Sequence, residues 1–124
     1  MNANTFTMGI TITPPQKKEK YQIIAFRGDL DKAGLISVKG TLEAFIETFD
    51  EVYLVFDFSQ LNFINSESIG FLTTIHTRLK KKNKNLVVIS AHSNVRDVFE
   101  VIGLFNVIEY YESLSAFLEH LEMN

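Results

Sequence analysis

The sequence predicts an α/β protein built on a mixed, mostly parallel sheet with helices packed against it. Three observations predict this. Residues 5–13 alternate strictly between apolar and polar side chains. Two later runs, Val52 to Phe58 and Leu86 to Ser90, are almost wholly apolar and rich in β-branched and aromatic residues. Between and after those runs, apolar residues recur at spacings of three and four. Period two marks a strand with one wet face, unbroken apolar runs mark strands covered on both faces, and the three-four spacing marks amphipathic helices.

Taken in order, Phe6, Met8, Ile10 and Ile12 form one side of the first strand, and Thr5, Thr7, Thr11 and Thr13 the other. Pro14 to Lys20 reads as a turn, because proline ends pairing and the lysines favour water. Tyr21 to Arg27 is then the second strand of an antiparallel hairpin, closed by Gly28-Asp29-Leu30-Asp31. From Gly34 the period changes: Leu35, Val38, Leu42, Phe45, Ile46 and Phe49 define a buried helix face. Gly40 costs this helix about 1 kcal/mol relative to alanine. Val52 to Phe58 is a covered strand. Ile69, Leu72, Ile75, His76 and Leu79 give a helix ending at Lys80-Lys81-Lys82, and Leu86 to Ser90 another covered strand. Val95, Val98, Phe99 and Ile102 give a short helix stopped by Gly103. Val107 to Tyr111 is a last strand, and Leu114, Phe117, Leu118 and Leu121 mark a last helix. The order is ββαβαβαβα, which implies parallel pairing through right-handed crossovers.

The chain has 124 residues, 46% of them hydrophobic, with 11 Phe and 22% charged. That composition suits one soluble globular domain over residues 1–124, with its core over about 5–122. A net charge of −3 gives no general attraction for nucleic acid or an anionic membrane. With no cysteine there is no disulfide and no thiolate chemistry, which fits a cytoplasmic setting. No signal peptide is visible, and no stretch reaches the roughly 18 apolar residues of a membrane span.

Catalytic and cofactor motifs are missing. His76, His92 and His120 fall on different elements and have no metal-ligand spacing. No phosphate-cradling glycine loop is present, and no cofactor is expected. Asp29, Asp31 and Asp57 are carboxylates with no basic partner to complete a site, and read as a solvated turn and a strand end. Arg78, Lys80, Lys81, Lys82 and Lys84 gather at a helix C-terminus, where they meet the negative end of the dipole. They read as a solvated helix end in preference to a nucleic-acid patch. The remaining feature is Asn65-Ser66-Glu67-Ser68, four small or polar residues between apolar runs. Asn65 or Ser66 suits a helix N-cap there.

Val55 to Gly70 (VFDFSQLNFINSESIG) resembles the signature of the STAS domain of anti-sigma factor antagonists. That pattern is a strand ending in Asp, a hydrophobic pair, then Asp-Ser-Ser/Thr-Gly-Leu/Ile-Gly opening a helix. Asp57, Phe63, Ile64, Ser66, Ile69 and Gly70 stand in the matching places. Asn65, Glu67 and Ser68 depart from it, standing where the pattern has Asp, Ser/Thr and Gly. Gly28 to Asp31 resembles the family's turn after its second strand. Residues 94–121 resemble its short helix, Gly-Leu turn, last strand and last helix, so the likeness covers Met8 to Leu121.

The resemblance implies a bacterial, cytoplasmic regulator of transcription that is not an enzyme. Its partner would be an anti-sigma factor that is also a serine kinase. The kinase would phosphorylate Ser66, with Ser68 the second choice, and a metal-dependent Ser/Thr phosphatase would reset it. Partner contacts fall to Asp29, Asp31, Asn65, Ser66, Glu67, Ser68 and Ile69, and the chain is expected to be a monomer on its own. Two other readings stand beside this one. The first is a STAS scaffold that binds partners without modification, in keeping with Asn65 and Glu67. The second is a receiver-like domain with Asp29 and Asp31 as its acidic pair and Asp57 as phosphoacceptor, although no lysine follows the last strand.

Overall fold

The computed structural model describes residues 9–122. Along them run β1 (Ile10–Ile12), β2 (Gln16–Lys17), β3 (Tyr21–Leu30), α1 (Lys32–Glu47), β4 (Tyr53–Ile64) and α2 (Ser66–Lys80). These are followed by β5 (Asn85–Ile89), α3 (Ser93–Val101), a 3-10 turn at Leu104–Asn106, β6 (Glu109–Tyr111) and α4 (Leu114–Glu122). The strands form one sheet in the order β1-β3-β4-β5-β6, with β2 also on β3. β1 and β2 run antiparallel to β3; the β3–β4, β4–β5 and β5–β6 pairs are parallel. The mixed α/β architecture and the order ββαβαβαβα are therefore present, with a short extra pairing at β2.

That extra pairing corrects the expected turn at Pro14 to Lys20. The two prolines interrupt the ladder because they donate no N–H. The chain then rejoins β3 with Gln16 opposite Ile23 and Lys17 opposite Gln22. Of the expected first strand, Ile10–Ile12 pairs with Phe26, Arg27 and Gly28; Phe6 and Met8 lie outside the described residues.

β4 is also longer than Val52 to Phe58. Ala25 lies opposite Asp57, but Arg27 lies opposite Gln60, so two β4 residues face Phe26 alone. A second slip places Gly28 opposite Leu61 and Asp29 opposite Phe63. Each slip is a β-bulge, which breaks the alternation while the strand continues. Asp57 stabilises the first bulge by accepting from the Ser59 N–H at 2.9 Å.

The two faces of the sheet are covered unequally. Helices α1, α2 and α3 pack on one, burying Phe26, Phe56, Phe58, Leu42, Ile46, Leu72, Ile75 and Phe99. The other carries α4, whose Phe117 is fully buried among Tyr21, Val55, Val87 and Ile89. The rings of Tyr21, Tyr53 and Tyr111 surround Phe117 at 5.3–5.6 Å between centroids. Such edge and tilted contacts add about 0.5–1.5 kcal/mol each beyond burial.

Helix α1 keeps its sequence pattern, and α3 departs from its own. Gly40 is exposed, with nothing within 4 Å of where a Cβ would stand, and α1 passes through it unbroken. In α3 only Val95 and Phe99 are buried. Val98 and Ile102, expected beside them, are 39% and 52% exposed. Gly103 ends that helix in the left-handed region at φ 74°, a conformation glycine adopts without a Cβ clash.

Candidate functional site

At the C-terminal ends of β3 and β4 the starts of α1 and α2 lie side by side, joined by one carbonyl. The Leu30 oxygen accepts from the Asn65 N–H at 3.0 Å and from the Ser68 hydroxyl at 3.1 Å. Each helix has its own cap. Asp31 Oδ1 accepts from the Gly34 N–H, and Asn65 Oδ1 from the Ser68 N–H, both at 2.8 Å. Gly34 has to be small here. A Cβ on it would stand 2.2 Å from the Asp29 carbonyl oxygen.

The first four N–H groups of a helix have no partner inside it. In α2 the Asn65 N–H goes to Leu30 and the Ser68 N–H to Asn65. The N–H groups of Ser66 and Glu67 have no hydrogen-bond partner among the described residues. Asn65 is therefore the cap, and Ser66 is the first helical residue, exposed and free of any capping duty. Its hydroxyl stands at the positive end of the α2 dipole, where an added anion is stabilised by about 0.3–1 kcal/mol. Glu67 is exposed beside it in the same first turn.

The other expected site residues divide by burial. Asp29, Asp31 and Asn65 are half-buried at the rim. Ser68 is only 1% exposed and Ile69 only 8%, so both lie beneath the surface that Ser66 presents. Two exposed apolar residues on the same elements lie outside the contact set that the resemblance implies: Phe63 at the end of β4, 49% exposed, and Ile36 near the start of α1, 70% exposed. The usable signal was position, since Ile36 falls off the Leu35-Val38-Leu42 stripe. Phe63 was hidden by the second bulge.

Asp57 does not join this site. It lies opposite Ala25, four residues before Asp29 along β3 and hence about 13 Å away. An acidic pair and an acceptor are not brought together, and the receiver-like reading loses its geometry. Of the histidines, His92 is exposed and gives α3 no side-chain cap. The His120 ring packs on Tyr111 at 5.3 Å. His76 is half-buried, and its Nδ1 is buried without a hydrogen bond. Burial first, and the Lys80 charge second, hold its pKa below the usual histidine value.

The basic cluster has structural work of its own. α1 has no cation in its last turn. Lys82 supplies one from the turn after α2, its Nζ donating to the Ile46 and Glu47 carbonyls at 2.7 and 3.1 Å. Lys84 Nζ donates to the Asp50 carbonyl at 2.7 Å, and Lys80 to Asn85 Oδ1 at 2.7 Å.

The chain belongs to the STAS domain family, whose model matches residues 14–117. Solved structures show the same fold. An anti-sigma factor antagonist from Mycobacterium paratuberculosis superposes with a TM-score of 0.79 at 18% identity, covering 91% of this chain and 94% of that one. The Bacillus cell-fate determinant SpoIIAA in its phosphorylated form gives 0.65 at 15% identity, covering 89% and 97%. A STAS domain protein from Planctomyces limnophilus gives 0.73 at 16% identity, covering 92% and 98%. At these identities the likeness is one of fold. No helix among the described residues is long and apolar enough to cross a membrane.

Proposed function

We propose that the protein is an anti-sigma factor antagonist: a non-catalytic binding module that switches partners by reversible phosphorylation of Ser66. One observation carries this reading. Ser66 is an exposed hydroxyl on the first residue of α2 beside two free backbone N–H groups, and Asn65 has taken the capping role from it. In this reading an anti-sigma factor with serine-kinase activity binds the unmodified surface around Ser66, including Phe63, Glu67, Asp29 at the end of β3 and Asp31 at the start of α1. The kinase transfers the γ-phosphoryl of ATP to Ser66 Oγ; the new O–P bond forms as the bond to ADP breaks. Sequestering that factor frees a sigma factor for transcription. A metal-dependent Ser/Thr phosphatase reverses the modification. The module works as a cytoplasmic monomer. The similarity to structures of anti-sigma factor antagonists supports the partner class.

The fold accommodates a phosphate at this helix end, but a partner that buries it without a cation loses several kcal/mol. Ser66→Asp should therefore keep the wild-type melting temperature and bind the kinase at least about tenfold more weakly, roughly 1.4 kcal/mol. Ser66→Ala should bind as wild type and gain no phosphate, read by intact mass after incubation with kinase and ATP. Wild-type affinity in Ser66→Asp, or phosphate on Ser68, would overturn the assignment. The second reading, a STAS scaffold used without modification, is favoured by Glu67, whose exposed carboxylate already places a negative charge beside Ser66. It predicts binding in all three proteins and phosphate on none.

A further inference from the structure

Helix α3 carries two apolar stripes where one would suffice. Val95 and Phe99, four residues apart, are buried against the sheet. Val98, Val101 and Ile102, at the spacing that places side chains on one helix face, are 39%, 86% and 52% exposed. Val107, just past the 3-10 turn that follows, is 49% exposed. Three branched aliphatic side chains are thus exposed at the end of α3, and a fourth follows the 3-10 turn. This is clustered exposure of the kind that marks a binding surface, in contrast to scattered single residues.

The charges around the stripe restrict what can cover it. Asp97 and Glu100, both exposed, alternate with the valines. The helix's one cation, Arg96, is turned to Glu112 at 3.1 Å and to Glu100 at 3.9 Å. A second copy of the chain, brought face to face by a two-fold axis, would set Asp97 and Glu100 against their own kind. Four side chains are also far short of the roughly 20–30 residues a side found in a standard stable interface. A single helix needs less area, contributing anchors at i, i+3 and i+4.

We propose that this face of α3 is a docking site for an amphipathic helix of a partner protein, one with an apolar stripe flanked by lysine or arginine. The site is separate from Ser66. α3 starts at the C-terminal end of the sheet, where Ser66 lies, and runs about 13 Å back over its nine residues to the opposite end. Docking there is therefore independent of the state of Ser66.

The test uses the full chain, isotope-labelled at its methyl groups, and designed helical peptides of about 15 residues. One peptide has a leucine stripe with lysine flanks, one the same stripe with glutamate flanks, and one the lysines without the stripe. The first should saturably shift the methyl signals of Val98, Val101, Ile102 and Val107. The glutamate-flanked peptide should bind at least about tenfold more weakly, and the stripeless one should leave these methyls unmoved. Val101→Asp should weaken the first peptide by a similar factor with an unchanged melting temperature, since this side chain supports no core. Asp97→Lys should narrow the preference between the two flanks, and Ser66→Asp should change nothing. Equal binding of both flanked peptides, shifts confined to other residues, or no saturable shift would overturn the proposal. So would concentration-dependent shifts of these methyls without peptide, because they would make the occupant a second copy.

Discussion

The side-chain oxygen of Asn65 occupies the Ser68 N–H, which leaves the neighbouring Ser66 hydroxyl with no structural task. Urea unfolding should separate the two residues. Asn65→Ala removes the cap and should cost about 0.5–2 kcal/mol. Ser66→Ala should stay within about 0.5 kcal/mol of wild type, as an exposed residue away from such features does. Residue type alone made both plausible caps, because composition does not reveal which oxygen reaches the third N–H of the helix. Residue type is equally silent on where the Ser68 hydroxyl points. That hydroxyl is turned inward to a carbonyl 38 positions earlier, a contact only the assembled fold creates.

Between elements, the C-terminus of α1 is held by a cation from the turn that follows α2. Lys82→Met should remove both carbonyl contacts and cost about 0.5–1 kcal/mol, in the range of a cation at an exposed helix end. Lys81→Met, next to it with no such contact, is the control and should leave the urea midpoint unchanged. The elements themselves were legible wherever a single period ran unbroken: the buried stripe of α1, the covered runs of β4 and β5, and the stop at Gly103. They are obscured where two signals overlap. The first bulge of β4 leaves the consecutive residues Ser59 and Gln60 both exposed, so the alternation breaks as it would at a loop, and the exposed apolar stripe of α3 shares its spacing with the buried one. Lys82 was legible as a helix-end charge, but not as the cap of a different helix, since sequence distance hides that neighbour.

For the whole molecule, stability is linked to pH through His76. Its pKa in the folded protein lies below the histidine value of the unfolded chain, chiefly through burial. The unfolded chain therefore takes up the proton first. Stability should hold above about pH 6.5 and fall as the pH drops from there toward the lower folded-state value. His76→Gln should flatten the decline between about pH 7.5 and 5.5 in paired urea titrations; an equal decline in both proteins would assign it elsewhere. The Leu30 carbonyl has a different kind of consequence. Because it holds the first turn of α2 from the residue that precedes the cap of α1, neither helix start can fray without withdrawing support from the other. The amide protons of Gly34 and Ser68, 34 positions apart in the chain, should then exchange with solvent deuterium at a common opening rate. Ser68→Ala, which cuts the tie through the hydroxyl, should let them exchange at separate rates, turning one cooperative unit into two.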